Sequence, residues 1–193
     1  MSKTLPPKDF FNGLMKRIRD VPFSYVIEMT TGHKVIPLTG DDKAVIDEVF
    51  TASKAVLDEA KKENYSSLRP NEISNRLEEK LRTKLQGIIP ENKTAGYPNI
   101  MIERGGKTYY VEVKLAEARK LKSNLRTFYY EPVELAKVKS DASHIMVGFI
   151  HRAKAVIGFK IVDLSKIKVK LKSEFNANNK ELYKEGAVIR SYP

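Results

Sequence analysis

The chain has 193 residues, 41% hydrophobic and 31% charged, which suits one ordinary domain with a real core. The 35 lysines and arginines against 24 aspartates and glutamates give a formal charge of +11. Such an excess of positive charge would attract nucleic acids, although a charged surface can also serve only to keep a protein soluble. Zero cysteines exclude disulfides and thiolate zinc sites. No apolar run has the roughly 18 residues of a membrane helix, and the N-terminus lacks a secretory pattern, so we expect a cytoplasmic protein.

Two amphipathic helices are predicted in the N-terminal half. The first spans about Asp42 to Lys62, where apolar residues recur at helical spacing. The second begins near Pro70, which is tolerated in a first turn. Its apolar stripe consists of Ile73, Leu77, Leu81 and Leu85. Both helices are expected to face the core.

Beyond these helices the pattern changes to the alternation of β-strands. Two alternating runs flank Gly105 and Gly106, and two glycines between such runs predict a hairpin. Residues 143–150 and 155–164 predict further strands, whereas the basic segment 115–139 has no clear pattern. The order of elements therefore predicts an α/β protein with an N-terminal helical portion.

The hairpin groups polar residues on one of its faces. With the two glycines as the turn, Asn99 lies opposite Glu112, and Lys114 points to the same face. The other face carries only apolar side chains: Ile100, Ile102, Val111 and Val113. Carboxylate oxygens suit Mg²⁺, and a lysine beside them can orient water or offset developing charge. The face with Asn99, Glu112 and Lys114 is therefore a candidate metal site.

The sequence Tyr97-Pro98-Asn99, followed by Glu112-Val113-Lys114, resembles the motif of the PD-(D/E)XK nucleases, the superfamily of type II restriction endonucleases. The resemblance implies a restriction-endonuclease-like mixed β-sheet flanked by helices, with a catalytic core at roughly 69–150 of a single domain over residues 1–193. It also implies hydrolysis of DNA with Mg²⁺. The family has aspartate where this chain has Asn99, and an amide oxygen binds Mg²⁺ more weakly than a carboxylate. Either the site works with fewer charges or this copy is catalytically disabled.

In this family a preceding helix supplies a further glutamate. At 100° per residue, Glu78 flanks the buried stripe of the second predicted helix, whereas Glu79 lies opposite it and Glu72 nearly so. We therefore expect Glu78 to join Asn99 and Glu112 as a metal ligand, with Glu72 in reserve. In the alternative interpretation, Glu72 complements the helix dipole and Glu78 is simply solvated.

Four basic residues follow the hairpin and are candidates for DNA contacts: Arg119, Lys120, Lys122 and Arg126. Ordinary surface charges would have the same pattern. The favoured function is a Mg²⁺-dependent type II restriction endonuclease that cuts double-stranded DNA at a specific sequence as a homodimer, since each chain has one such site. The alternatives are a structure-specific repair or junction-resolving nuclease, a non-catalytic DNA-binding module on a dead nuclease fold, and an RNA-binding protein with incidental hairpin residues.

Overall fold

The computed structural model describes residues 20–92, 96–123, 130 and 136–170, together with Gly13. Residues 21–168 form one compact unit, and residues 1–20 with 169–193 form a second unit, of which few positions are described. The elements are β1 (Val21–Pro22), α1 (Phe23–Thr31), α2 (Lys43–Ala60), α3 (Pro70–Lys84), β2 (Ile100–Arg104), β3 (Lys107–Glu117), β4 (Ser143–Arg152), β5 (Ala155–Asp163) and β6 (Lys168–Val169). None of the helices in these ranges is long and apolar enough to cross a membrane.

Both predicted helices are confirmed. Helix α2 follows a 3₁₀ turn at Gly40–Asp42, in which the Asp42 carboxylate accepts the Thr39 N–H at 2.8 Å. Helix α3 begins at Pro70, and the Glu72 carboxylate accepts the Arg69 N–H at 2.6 Å, as expected near a helix start. The four residues of the predicted stripe, Ile73, Leu77, Leu81 and Leu85, are all fully buried.

Strands β2 to β5 form a four-stranded mixed sheet in the order β2-β3-β4-β5. The β2/β3 and β4/β5 pairs are antiparallel, and β3 and β4 are parallel. In the hairpin Ile100 pairs with Val111, which is the predicted register. Gly105 and Gly106 have φ angles of 57° and 73°, as a two-residue I′ turn requires. The fold is therefore a mixed sheet flanked by helices, as expected of a restriction-endonuclease-like protein.

The sheet is covered on both faces. On one face, α2 packs against β5 and α3 packs against β3, around a core that includes Ile100 and Val111. On the other face, the rings of Tyr97 and Tyr110 each lie against the His144 ring, with centroids 5.8 Å and 5.1 Å from it. The alternation of the hairpin predicts only one buried face. Because β3 lies inside the sheet under aromatic side chains, its polar face is buried as well.

Candidate active site

Asn99, Glu112 and Lys114 meet on the polar face of the hairpin. The Asn99 N–H donates to Glu112 Oε2 at 3.1 Å, and the Val113 N–H donates to Asn99 Oδ1 at 2.8 Å. A backbone N–H only donates, so the amide atom that faces Val113 is the oxygen. Lys114 Nζ lies 2.5 Å from Glu112 Oε1. The structure thus brings together the three hairpin residues expected from the register.

Glu112 is a buried carboxylate, with 3% of the residue exposed. Burial raises the pKa of Glu112, and the Lys114 ammonium and the Asn99 N–H oppose that rise. A carboxylate has about four acceptor sites. The contacts with Asn99 and Lys114 therefore leave room on Glu112 for a cation.

Glu78 is the second carboxylate of the cluster. It is half-buried on α3, and its pKa is raised first by burial and then by the negative charge of Glu112. The two carboxylates are therefore close enough to repel one another. Glu72, the reserve candidate, is exposed and accepts a backbone N–H at the start of α3. The helix thus presents Glu78 to the hairpin, and Glu72 contributes to the helix start.

The chemistry of these groups fits a divalent cation. Glu78 and Glu112 repel one another, and Glu112 is buried, so a positive ion would stabilise the ionised form of both carboxylates. Mg²⁺ is usually bound by one or two carboxylates together with water and phosphate oxygens. Asn99 has less to offer, because Oδ1 already accepts the Val113 N–H and the other amide atom is a donor. Within the described residues, no group of three or more histidine, aspartate or glutamate side chains could hold a metal. A cation here would therefore depend on Glu112 and Glu78.

The predicted DNA-contacting residues continue from the C-terminal end of β3. Arg119 Nε and Lys120 Nζ lie 2.5 Å and 3.2 Å from the Glu117 carboxylate, and Lys122 is exposed. Arg126 lies outside the described residues. Arg152, which was not predicted, ends the neighbouring strand β4. No sequence signal selects Arg152, because it comes near Glu117 only through the parallel pairing of β3 and β4.

A surface cavity connects Arg152 with this basic segment. It has a volume of about 370 Å³ and is lined by Glu117, Ala118, Arg119 and Arg152. Two guanidinium groups at one cavity, beyond the end of the strand that carries Lys114, could contact an anionic backbone. The cavity therefore adds Arg152 to the candidate DNA-contacting residues.

Sequence reasoning missed Lys137, although its charge acts on both carboxylates. Lys137 is 1% exposed, and its positive charge lowers the pKa of Glu78 and of Glu112. Its N–H donates to the Tyr97 carbonyl at 2.8 Å, which places it beside the segment that leads to Asn99. Lys137 belongs to the basic segment that had no pattern, so no sequence signal could have selected it.

A buried tyrosine and a buried histidine contact one another on the polar face. The Tyr97 hydroxyl lies 2.6 Å from His144 Nδ1, and His144 is fully buried. Burial lowers the pKa of His144 to about 3, so the imidazole is neutral near pH 7. Tyr97 precedes Pro98 and Asn99 in the chain, and this pair therefore holds the backbone at the site without contributing a charge.

Residues 16–186 of the chain match the type II restriction enzyme MjaV family. The type II restriction enzyme MjaV of Methanocaldococcus jannaschii is 33% identical over 208 aligned residues, which cover 91% of this chain and 90% of that enzyme. No solved structure is significantly similar to the chain. The agreement extends over nearly the whole sequence, and the chain therefore belongs to the type II restriction enzyme MjaV family.

Proposed function

We propose that this protein is a cytoplasmic Mg²⁺-dependent type II restriction endonuclease of the PD-(D/E)XK kind, which hydrolyses double-stranded DNA at a specific sequence. Family membership supports the endonuclease activity. The observation that carries the site is the buried Glu112 carboxylate, held by the Asn99 N–H and flanked by Lys114 and Glu78. A costly polar cluster under a sheet is a strong candidate for function.

Each side chain has a distinct role in this proposal. Glu112 and Glu78 would hold Mg²⁺, which would supply a Lewis acid for the phosphate and make a water molecule more acidic. Lys114, with its ammonium at the Glu112 carboxylate, orients the attacking water or stabilises the charge that develops on the phosphate. Asn99 positions Glu112 through its N–H and has only the second lone pair of Oδ1 for the metal.

DNA is bound by the basic segment after β3. Arg119, Lys120, Lys122 and Arg126 contact backbone phosphates, which hold the duplex without selecting a sequence. Cutting both strands of a symmetric site calls for two active sites, and each chain has one such hairpin. We therefore propose a homodimer, with residues 1–193 forming one nuclease domain around a catalytic core at roughly 69–150.

Asn99 lowers or abolishes cleavage in this proposal. An aspartate at position 99 would still accept the Val113 N–H with one oxygen and would offer the other to a cation, whereas the asparagine presents an amide NH₂ there. The same observation favours a second candidate function, a DNA-binding module that has lost catalysis. Cleavage by the aspartate variant separates the two functions.

The test is plasmid cleavage with Mg²⁺ by the wild-type chain and by Asn99→Asp, which we expect to cut at least about tenfold faster because a carboxylate ligand is restored. Glu112→Ala in the aspartate background should abolish cutting. Asn64→Asp is the matched control, because exposed Asn64 also accepts a backbone N–H, from Ser66 at 2.9 Å, and gains the same charge away from the site.

The outcomes distinguish the candidate functions. Discrete fragments from linear plasmid, dependent on Glu112, support a restriction endonuclease. Preferential cutting of a four-way junction would instead support a structure-specific repair or junction-resolving nuclease. If Asn99→Asp binds duplex DNA but never cuts it, the nuclease proposal fails and the DNA-binding module is the better description.

A further inference from the structure

Strand β5 brings a lysine to the face of the sheet that carries the candidate site. Lys114 of β3 pairs with Gly148 of β4, and Gly148 pairs with Lys160 of β5. Paired residues of adjacent strands point to the same side of a sheet, so these three positions form one row on the polar face, which we call the lysine row. Neighbouring strands lie about 4.8 Å apart, which places the backbones of the two lysines roughly 10 Å apart.

The middle position of the lysine row has no side chain. Gly148 is partly exposed, and a Cβ there would lie 3.6 Å from Met146 Cε and 3.8 Å from the Lys160 carbonyl oxygen, which is ordinary van der Waals contact. Neither close packing nor a left-handed backbone therefore requires this glycine. A glycine inside a strand often marks a place where a ligand approaches the backbone closely. Here it leaves a gap between two lysines.

The charges around this gap have one sign. The paired strand segments here are 112–116, 146–150 and 158–162. On their polar face the charged residues are Glu112, Lys114 and Lys160, so both charges beyond the buried Glu112 carboxylate are positive. Asp163, the carboxylate of β5, pairs instead with Ile145 on the core face. Lys160 is exposed, and no carboxylate in the described parts of the chain pairs with it.

We propose that Lys160 binds the phosphate backbone of duplex DNA close to the phosphate that is cut, and that the gap at Gly148 admits this backbone. The relation to the cut phosphate rests on the proposed function. A DNA strand has one phosphate per about 3.4 Å of helix axis, so a lysine roughly 10 Å from Lys114 reaches a phosphate within about three positions of the cut one. The DNA-binding surface thus extends from the segment after β3 across the sheet to β5.

The charge is tested by comparing Lys160→Gln with Lys61→Gln, which removes an exposed lysine directly after α2, the helix on the core face. Binding to a labelled duplex of random sequence is followed by fluorescence anisotropy without metal, at several salt concentrations. Lys160→Gln should raise the Kd about tenfold and reduce the slope of log K against log salt by about 0.9, because one phosphate contact is lost. Lys61→Gln should change neither quantity. An unaltered slope for Lys160→Gln would overturn the proposal.

The gap is tested by Gly148→Leu, which fills the lysine row without changing its charge. It should weaken binding to the same duplex, because the added side chain keeps the DNA backbone away from the sheet. Gly40→Leu is the matched control, since it adds the same bulk before α2, where nothing lies within 4 Å of a new Cβ. Thermal unfolding verifies that both variants are folded. Undiminished binding by folded Gly148→Leu would contradict the approach of DNA at the gap, and if this variant does not fold, Lys160→Gln alone decides.

These binding measurements do not depend on cleavage, so the proposal and the proposed function can fail separately. If no variant cuts DNA, Asn99→Asp included, the nuclease function is refuted, while the salt slope of Lys160→Gln still decides the contact with DNA. If Asn99→Asp cuts, adding Lys160→Gln should raise KM more than it lowers kcat, as expected for an interaction made equally in the ground state and the transition state. A lower kcat with an unchanged Kd would argue against a backbone contact.

Discussion

Two carboxylates are almost equally buried in this protein, yet their environments shift their pKa values in opposite directions. Asp42 is 2% exposed and accepts hydrogen bonds from Lys107 Nζ at 2.9 Å, the Tyr109 hydroxyl at 2.7 Å and the Thr39 N–H at 2.8 Å. These partners, with Lys107 first, hold the pKa of Asp42 well below its ordinary value. Glu112 is 3% exposed, and burial raises its pKa despite Lys114.

The difference shows which carboxylate serves the fold. Asp42 joins the start of α2 to β3 and is satisfied by donors of the protein itself, so its charge stabilises the structure. At Glu112, the stabilisation of the ionised carboxylate by Lys114 and the Asn99 N–H is smaller than the cost of burying it, so ionising Glu112 costs stability. Such a group is better matched to a ligand that comes from outside. Substitutions around Asp42 and around Glu112 should therefore differ in how acid and metal change the stability of the protein.

The largest effect on stability should come from His144, which lies on the same face of the sheet as Glu112. As the pH falls, the unfolded chain binds a proton near pH 6.5, whereas folded His144 binds one only near pH 3, so stability is lost between these values. By pH 4 this loss should reach about 3 kcal/mol. Urea unfolding at pH 7 and pH 4 should show that His144→Phe is spared this loss.

Tyr97→Phe is the control for His144→Phe. It removes the same hydrogen bond, of 2.6 Å, but keeps the imidazole, so it should retain the acid sensitivity of the wild type. Equal losses between pH 7 and pH 4 in the wild type and in His144→Phe would show that the buried imidazole does not drive the acid response.

Asp42→Asn should lower the free energy of unfolding at pH 7 by about 2 kcal/mol, since the hydrogen bonds with Lys107 and Tyr109 lose their charge. Because the pKa of Asp42 is depressed, its contribution is present above its ordinary value of 3.8 and is lost as the pH falls further. Mg²⁺ should have no influence on this loss. Exposed Asp41→Asn is the control, and a comparable loss there would contradict a specific role for Asp42.

Glu78→Gln should change the stability of the metal-free protein by no more than about 1 kcal/mol, because the ionised carboxylate is already disfavoured by burial and by Glu112. With a raised pKa, Glu78 makes the protein less stable as the pH rises through its titration, and the glutamine removes this dependence. The increase in Tm on addition of Mg²⁺ should shrink at the same time. Exposed Glu79→Gln should leave that increase unchanged, and a similar reduction there would argue against Glu78 as a ligand.

The smallest effect is expected outside both carboxylate regions. Lys122→Ala should weaken binding to duplexes of any sequence alike and reduce the slope of log K against log salt concentration by about 0.9, the value for one phosphate contact. Fluorescence anisotropy at several salt concentrations measures this slope. Lys62→Ala removes an exposed lysine just after α2 and should leave the slope unchanged. An unaltered slope for Lys122→Ala would make Lys122 an ordinary surface charge.

The parts of the site that could be predicted depend on local rules. The two-glycine turn determines the register of the hairpin, and this register places Asn99 opposite Glu112. The helical repeat of α3 turns Glu78 toward the buried side. Both relations involve residues of one element or of adjacent elements, for which spacing along the chain translates directly into geometry.

The rest depends on contacts between distant parts of the chain. Nothing in the alternation of β3 shows that β4 runs parallel beside it, and this pairing buries the polar face. Lys137 reaches the site through a backbone contact with Tyr97, forty residues earlier, in a segment without periodicity. The sequence pattern places Asp42 only at the start of a helix, whereas its main partner, Lys107, comes from the hairpin. Such long-range pairs leave no pattern in a single sequence.

The turn at Gly105 and Gly106 has a consequence for how the family can vary. It lies six residues from Asn99, roughly 20 Å along an extended strand. Surface turns commonly tolerate insertions. Here one additional residue that slides β2 against β3 would place Asn99 beside a side chain of the apolar face. The length of this turn, although remote from any chemistry, should therefore be as invariant among active relatives as the carboxylates themselves.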